Sequence, residues 1–373
     1  LVTLRRSRRG APRAAAKITK FMRSRYLMYA NFGPLVFCKH DGSTAEFGTI
    51  LFEARDTQAK FISLADISSA AMLGNFVEKY WKCAKPEVLI SVTGGAQTFD
   101  LKPWLKRAFE AGFVRAANDA KAWIVTGGTD AGVMELVATA MHNHNISLPI
   151  FGFTPLGCVN GRHLLNGCRR EHQTVHYDNV GKASAKGAPL NPHHSHFVLV
   201  DSGKEAPAAW GSEIGLRYSF ENFYSTQKHV PIVQVVVQGG PGTLDNMLYA
   251  AQKSCPIVIV AESGGAATAV YRFCNAEVPG ELEEDVWFED ELMKKFEKKR
   301  LVFEQLLRLH QEHDGRLLNF FSPLGETDAD GDNDMSTMLL NSIVKMIRAP
   351  RHSEQTAAHG EAAAGGTEGQ PPR

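Results

Sequence analysis

Short apolar runs of strand length recur through the middle of the chain, at Val88 to Val92, Ala122 to Val125, Pro149 to Phe153, His196 to Val200, Ile232 to Val237 and Pro256 to Val260. They are near-continuous and rich in β-branched residues, with little alternation. That is how parallel strands buried on both faces read. Amphipathic stretches with apolar residues at helical spacing lie between several of them, as in Leu101 to Gly112 and Val133 to His144. Upstream, Phe47 to Phe52 reads as a strand, and Leu73, Phe76, Val77 and Tyr80 recur at helical spacing. The alternation predicts an α/β fold, Rossmann-like and doubly wound, with a mostly parallel sheet covered by helices on both faces. A helical segment follows, with apolar positions Leu301, Phe303, Leu306, Leu307 and Leu309 in Glu297 to His313, and Met338, Leu339, Ile343, Val344 and Ile347 in Met335 to Ile347.

Four parts follow from this pattern: a basic head over 1–30, an α/β domain over 31–275, a helical segment over 276–349, and an Ala/Gly/Glu/Pro-rich tail over 350–373 expected to be disordered. Composition changes the picture only at the ends. The net charge of +1 gives no global field for nucleic acid. The head, however, carries nine Arg or Lys between Arg5 and Arg25, and no Asp or Glu occurs before Asp41. It reads as a disordered leader, a transit-peptide-like segment or a polybasic lipid patch. No apolar run approaches the roughly 20 residues that span a bilayer. Six cysteines are scattered without a CxxC pair, which suits a reducing cytosolic setting. Trp81, Trp104, Trp123 and Trp210 read as core or helix-packing residues, and Trp287 as a surface residue of an acidic stretch.

The candidate chemistry lies in three turns that follow buried strands: Thr93-Gly94-Gly95, Gly127-Gly128-Thr129-Asp130-Ala131-Gly132, and Gly239-Gly240-Pro241-Gly242-Thr243. In open α/β sheets, ligands sit beyond the carboxyl ends of the strands. Glycine there permits close backbone approach, and a following helix N-terminus offers N–H groups to a phosphate. Neither a Walker A loop nor a G-x-G-x-x-G fingerprint is present. Glu213 and Arg217 lie four apart on a predicted helix, so Arg217 serves either as a bidentate phosphate ligand or as the partner of a solvated Glu–Arg pair.

These turns and their surroundings resemble the SLOG fold, and within it the cytosolic N-terminal region of melastatin-related TRP (TRPM) cation channels. The resemblance rests on FGTILF (Phe47 to Phe52), LISVTGGAQTF (Leu89 to Phe99), AWIVTGGTDAGV (Ala122 to Val133) and HSHFVLVDSG (His194 to Gly203). WGSEIGLR (Trp210 to Arg217) and VVVQGGPGTL (Val235 to Leu244) follow in family order, the helix Met335 to Ile347 after an acidic turn sits where the family has one, and the resemblance covers about residues 45–348. It implies a regulatory, non-enzymatic region at the cytoplasmic face of a calcium-permeable channel, with other channel subunits of a tetramer as partners and no obligatory cofactor. It also implies an anionic nucleotide such as ADP-ribose as ligand, lined by Thr93, Gly94, Gly95, Gly127, Gly128, Thr129, Gly132, Glu213, Arg217, Gly239, Gly240, Gly242 and Thr243. The pore is expected outside this chain, which is then either a fragment or a free-standing relative.

Three other readings remain open. SLOG-type phosphoribohydrolases share a P-G-G-x-G-T-x-x-E motif whose Glu acts in catalysis. Here Gln238 and Asn246 stand at the Pro and Glu positions, and an amide cannot ionise to act as the carboxylate. A zinc site could draw on His193, His194 and His196, with His142 and His144. Finally, the region could serve subunit assembly without binding a ligand. Cys255, before a buried strand, reads as inert.

Overall fold

The computed structural model describes residues 37–178, 180–275, 291–323 and 334–348. The basic head, Trp287 and the tail lie outside them. Ten strands form one sheet: β1 (Glu46–Phe52), β2 (Thr57–Ala65), β3 (Leu89–Gly94), β4 (Trp123–Thr126), β5 (Ile150–Pro155), β6 (Arg169–His176), β7 (His196–Asp201), β8 (Ile232–Val237), β9 (Ile257–Val260) and β10 (Leu318–Phe321). Their spatial order is β10-β9-β8-β3-β4-β5-β7-β2-β1-β6. Only β1 and β2 pair antiparallel among the described strands.

The helices are α1 (Ala70–Lys79), α2 (Pro103–Asp119), α3 (Gly132–Asn143), α4 (Ile214–Gln227), α5 (Pro241–Gln252), α6 (Gly265–Cys274), α7 (Arg300–Glu312) and α8 (Met335–Arg348). The central strands β4, β5, β8 and β9 are buried at every position, which explains their near-continuous apolar sequence. One face of the sheet packs Val92, Ile124 and Val235 against Phe109 and Phe113 of α2 and Val137 of α3. The other packs Leu89, Val125 and Phe151 against Phe220 and Tyr224 of α4. Trp123 and Trp81 sit in this second core, as core residues should.

The late segment is built onto the same sheet. β10 runs parallel to β9 at the sheet edge, and α7 places Phe303 and Leu306 against the α5–α6 layer. α8 crosses α2 at Gly112, where an added Cβ would stand 2.5 Å from Met335 Cβ and 3.1 Å from the Ser336 backbone N. Gly112→Leu is therefore expected to cost about 1–3 kcal/mol, as overpacking does. Urea denaturation would measure this, with limited proteolysis showing first cleavage in α8.

The strand order places β3 between β4, reached by the next crossover, and β8, which starts the run to β9 and β10 on the opposite side. The carboxyl ends of β3 and β8 are thus a topological switch point, where helices leave to opposite faces and a crevice opens.

Candidate functional site

A cleft of about 140 Å³ lies at this switch point. One water needs roughly 10–15 Å³ on the same measure, so the cleft can admit a small ligand group. Thr93 and Gly94 from the first turn and Gly127 and Thr129 from the second line it, together with Glu213, Arg217, Tyr218, Gln234, Asn246 and the half-exposed Trp210. The structure therefore brings together six of the residues expected from sequence. Trp210 departs from its core reading: 39% exposed, it stands at the rim, with its Nε1 donating to Ala185 O at 3.2 Å.

Arg217 is only 9% exposed. Its Nε donates to Glu221 Oε1 at 2.9 Å, and its Nη2 donates to Ser91 Oγ at 2.9 Å, Val92 O at 2.9 Å and Val125 O at 3.1 Å. Ser91 Oγ in turn donates to Glu221 Oε1 at 2.8 Å. One guanidinium thus ties the ends of β3 and β4 to α4. Arg217 pairs instead with Glu221, one turn on, and that pair is buried, so the solvated pair with Glu213 expected from sequence is not the one that forms. The i,i+4 spacing allowed either carboxylate. Glu213, the N-cap of α4, lines the cleft.

Glu213 is the one carboxyl and Arg217 the one cation among the described lining residues. Glu213 Oε2, Tyr218 Oη and Gln234 Oε1 are buried and have no hydrogen-bond partner within the described chain. Burial pushes the Glu213 carboxyl up to about 7, against weaker opposition from its own backbone N–H and Arg217. Tyr218, raised by burial, stacks on Tyr249 of α5 with centroids 4.1 Å apart. Asn246 Nδ2 donates to Thr93 Oγ1 at 3.2 Å. Asp245, its neighbour, is paired with Lys299 Nζ at 2.7 Å and does not line the cleft.

The three turns differ in what their glycines do. Gly94 passes so close to β8 that a Cβ would stand 2.0 Å from Val237 O. Gly132, at φ +62, would place a Cβ 2.0 Å from Gly95 O, the carbonyl that accepts from Val133 N at 2.9 Å. Gly95, Gly128 and Gly239 are also hemmed in by neighbours. A side chain at Gly240 or Gly242 would meet no atom within 4 Å. Thr243 is buried, its Oγ1 donating to Gly94 O at 3.5 Å. The third turn therefore lies on the same edge but outside the lining of the cleft.

Histidines do not converge on a metal. His194 is buried, with Nε2 2.7 Å from Thr126 Oγ1 and Nδ1 3.1 Å from Asn191 Oδ1. Thr126 Oγ1 also accepts from Gly128 N at 2.9 Å, so His194 braces the second turn. Burial holds its pKa down to about 3. His196, the first residue of β7, lies 3.4 Å from Cys83 Sγ. Burial drives that imidazole down to about 3 and that thiol up to about 11, so the pair stays neutral. His144 Nδ1 lies 2.9 Å from Ala140 O, and the His142 and His193 rings stack at 4.0 Å. Among the described residues no group of three or more His, Cys, Asp or Glu is placed to hold a metal. Cys255 is half-buried and desolvation raises its thiol pKa, which keeps the thiol protonated. No described helix is long and apolar enough to cross a membrane.

Comparison with known proteins agrees with this architecture. The family model described as SLOG in TRPM matches residues 59–309. The chain is 34% identical over 225 residues to rat transient receptor potential cation channel subfamily M member 2, covering 55% of this chain and 14% of the relative. It is 33% identical over 228 residues to the Nematostella vectensis member-like 2 protein, covering 56% and 15%. Identity to the Drosophila melanogaster channel trpm is 34% over 218 residues, covering 55% and 10%. The matched region is thus a small part of each of these relatives. With the family model matching residues 59–309, most of its length, the chain belongs to the SLOG family of TRPM channels.

Proposed function

We propose that this chain is a ligand-sensing region of a TRPM-type cation channel that holds an anionic nucleotide such as ADP-ribose at the carboxyl edge of its sheet. The observation that carries the reading is the cleft at the β3–β8 switch point. It joins a guanidinium, the backbone of two glycine turns and the exposed indole face of Trp210 in one small space. Phosphates would meet Arg217 and turn amides, and a base would find a π surface at the rim. Gly240 and Gly242 extend the edge with backbone that no side chain crowds. Occupancy would act by favouring one arrangement of the surrounding channel. The channel would pass cations, calcium among them, with this region at the cytoplasmic face beside other subunits. Leu301 on α7, 70% exposed, and Val344 on α8, 40% exposed, give such neighbours apolar contact points.

Holding is favoured over hydrolysis by the residues at the motif's acidic position. Asn246 faces the cleft and cannot ionise, and Asp245 is turned to Lys299. Calorimetry of the purified chain with ADP-ribose near pH 6.5 is expected to give a micromolar Kd, without release of base or ribose phosphate. A folded protein with no binding at millimolar ligand would sink the sensor reading and leave a structural role.

A further inference from the structure

The charges in the cleft do not balance for an anionic guest. Arg217, the cation there, already spends its Nε on Glu221 at 2.9 Å and its Nη2 on Ser91 and two strand carbonyls. Its charge is largely answered before any ligand arrives. Glu213 has no comparable partner, and its Oε2 is buried and unpaired. An ionised carboxylate there would share a confined, weakly screened space with the ligand's phosphates, and like charges in such a space repel strongly.

We propose that the cleft takes up its anionic ligand together with one proton, carried by the Glu213 carboxyl. This rests on the nucleotide-binding reading and specifies how the site is regulated. Protonation removes the repulsion and turns Glu213 into a hydrogen-bond donor facing the guest. The neighbourhood contains little else that can titrate. On α4 the groups nearby are Arg217, Tyr218 and Glu221. From the turn after β5 comes Cys158, whose thiol is pushed up to about 11 by burial and then by the Glu213 charge, against Arg162. From β3, β8 and α5 the lining side chains Thr93, Gln234 and Asn246 carry no charge, and Asp245 is held by Lys299. No histidine lines the cleft, and His194 behind the second turn stays neutral at a pKa of about 3. Glu213, at about 7 in the empty cleft, is the group placed to change charge in the physiological range. A nearby anion raises it further.

The linkage fixes the sign. Below about pH 7 the carboxyl is already protonated, and affinity is flat. Above it, each pH unit must weaken ADP-ribose binding by up to about tenfold, as one proton is taken up per ligand. The pyrophosphate of ADP-ribose does not titrate between pH 6 and 8.5, so the proton must come to the protein. The test is calorimetry of the full chain with ADP-ribose at pH 6 to 8.5, in buffers of different ionisation enthalpy, beside Glu213→Gln. Wild type is expected to take up about one proton at pH 8 and to lose affinity with rising pH. Glu213→Gln is expected to bind equally at all pH values and more tightly than wild type at pH 8. Wild-type binding that is independent of pH and buffer overturns the inference while leaving nucleotide binding intact. No binding at either pH overturns both. A second arm needs no ligand: thermal melting of both proteins from pH 5 to 8.5. Wild type should fall relative to Glu213→Gln as pH rises from 5 to about 7 and run parallel to it above, since the carboxyl is raised from 4.5 to about 7 by folding; curves parallel over the whole range overturn the inference.

Discussion

Arg217→Met is expected to destabilise the fold by about 3–5 kcal/mol, the range seen when one partner of a buried ion pair is removed. Truncation strands Glu221, 7% exposed, as a buried uncompensated carboxylate. It also strips donors from Ser91 Oγ and from the carbonyls of Val92 and Val125. An unpaired buried acceptor costs on the order of 1–3 kcal/mol by itself. Arg217→Lys keeps the charge but replaces a planar fork with a single ammonium, which cannot serve α4, β3 and β4 together. It should recover only part of the loss. The double variant Arg217→Met/Glu221→Leu removes the stranded charge and should be more stable than Arg217→Met alone. Urea denaturation of the three variants gives the numbers. If Arg217→Met lies within 1 kcal/mol of wild type, the guanidinium is not what joins the strand ends, and its cost in burial would point to a ligand alone. The dual engagement matters for function: a phosphate at the cleft would meet a guanidinium already locked in place, so little side-chain entropy remains to be lost on binding.

The central architecture was legible because parallel strands buried on both faces announce themselves. Ile232 to Val237 was read as a strand to the residue, and the runs ending at Val92, Val125 and Val260 differ from β3, β4 and β9 by one or two positions. The peripheral strands were not legible. β6, Arg169–His176, is polar and lies at the sheet edge, where burial imposes no apolar pattern. β10 has four residues, Leu318–Phe321, in a segment otherwise of helical period. α6 opens on glycine and alanine, and its inward residues Ala266, Ala267 and Ala269 are too small to mark a helix face. The cleft was legible in its glycine turns but not in its side chains. Gln234 and Tyr218 gave no signal, because one hides in an apolar strand and the other follows the more conspicuous Arg217. Arg217 itself has acidic neighbours at helical spacing on both sides, Glu213 and Glu221, and spacing alone does not say that Glu221 takes the guanidinium.

Gly132→Ala is expected to cost on the order of 3 kcal/mol or more, whereas Gly240→Ala should leave stability within about 0.5 kcal/mol. At Gly132, φ is +62, where a Cβ alone costs about 1–2 kcal/mol. The added carbon would also stand 2.0 Å from Gly95 O. That carbonyl is backbone of the first turn and accepts from the second N–H of α3, that of Val133, at 2.9 Å. Relief requires moving α3 away from the end of β3, which opens the Phe109–Val137 side of the core. Binding should fall with stability, because the first and second turns form one braced unit. Gly240 is the opposite case. Its φ is −111, and a Cβ there meets nothing within 4 Å. Packing and backbone strain therefore give no reason for a glycine; under the proposed function, close approach of the ligand would be the reason. Gly240→Ala should keep the melting temperature while weakening ADP-ribose several-fold, and Gly242→Ala should do likewise. If both variants keep wild-type affinity, the third turn does not touch the ligand, and the site contracts to the cleft between Thr93, Gly127 and Arg217. If Gly132→Ala melts like wild type, the turns are more pliable than their contacts imply, and the rigid anion-binding edge inferred from them is lost.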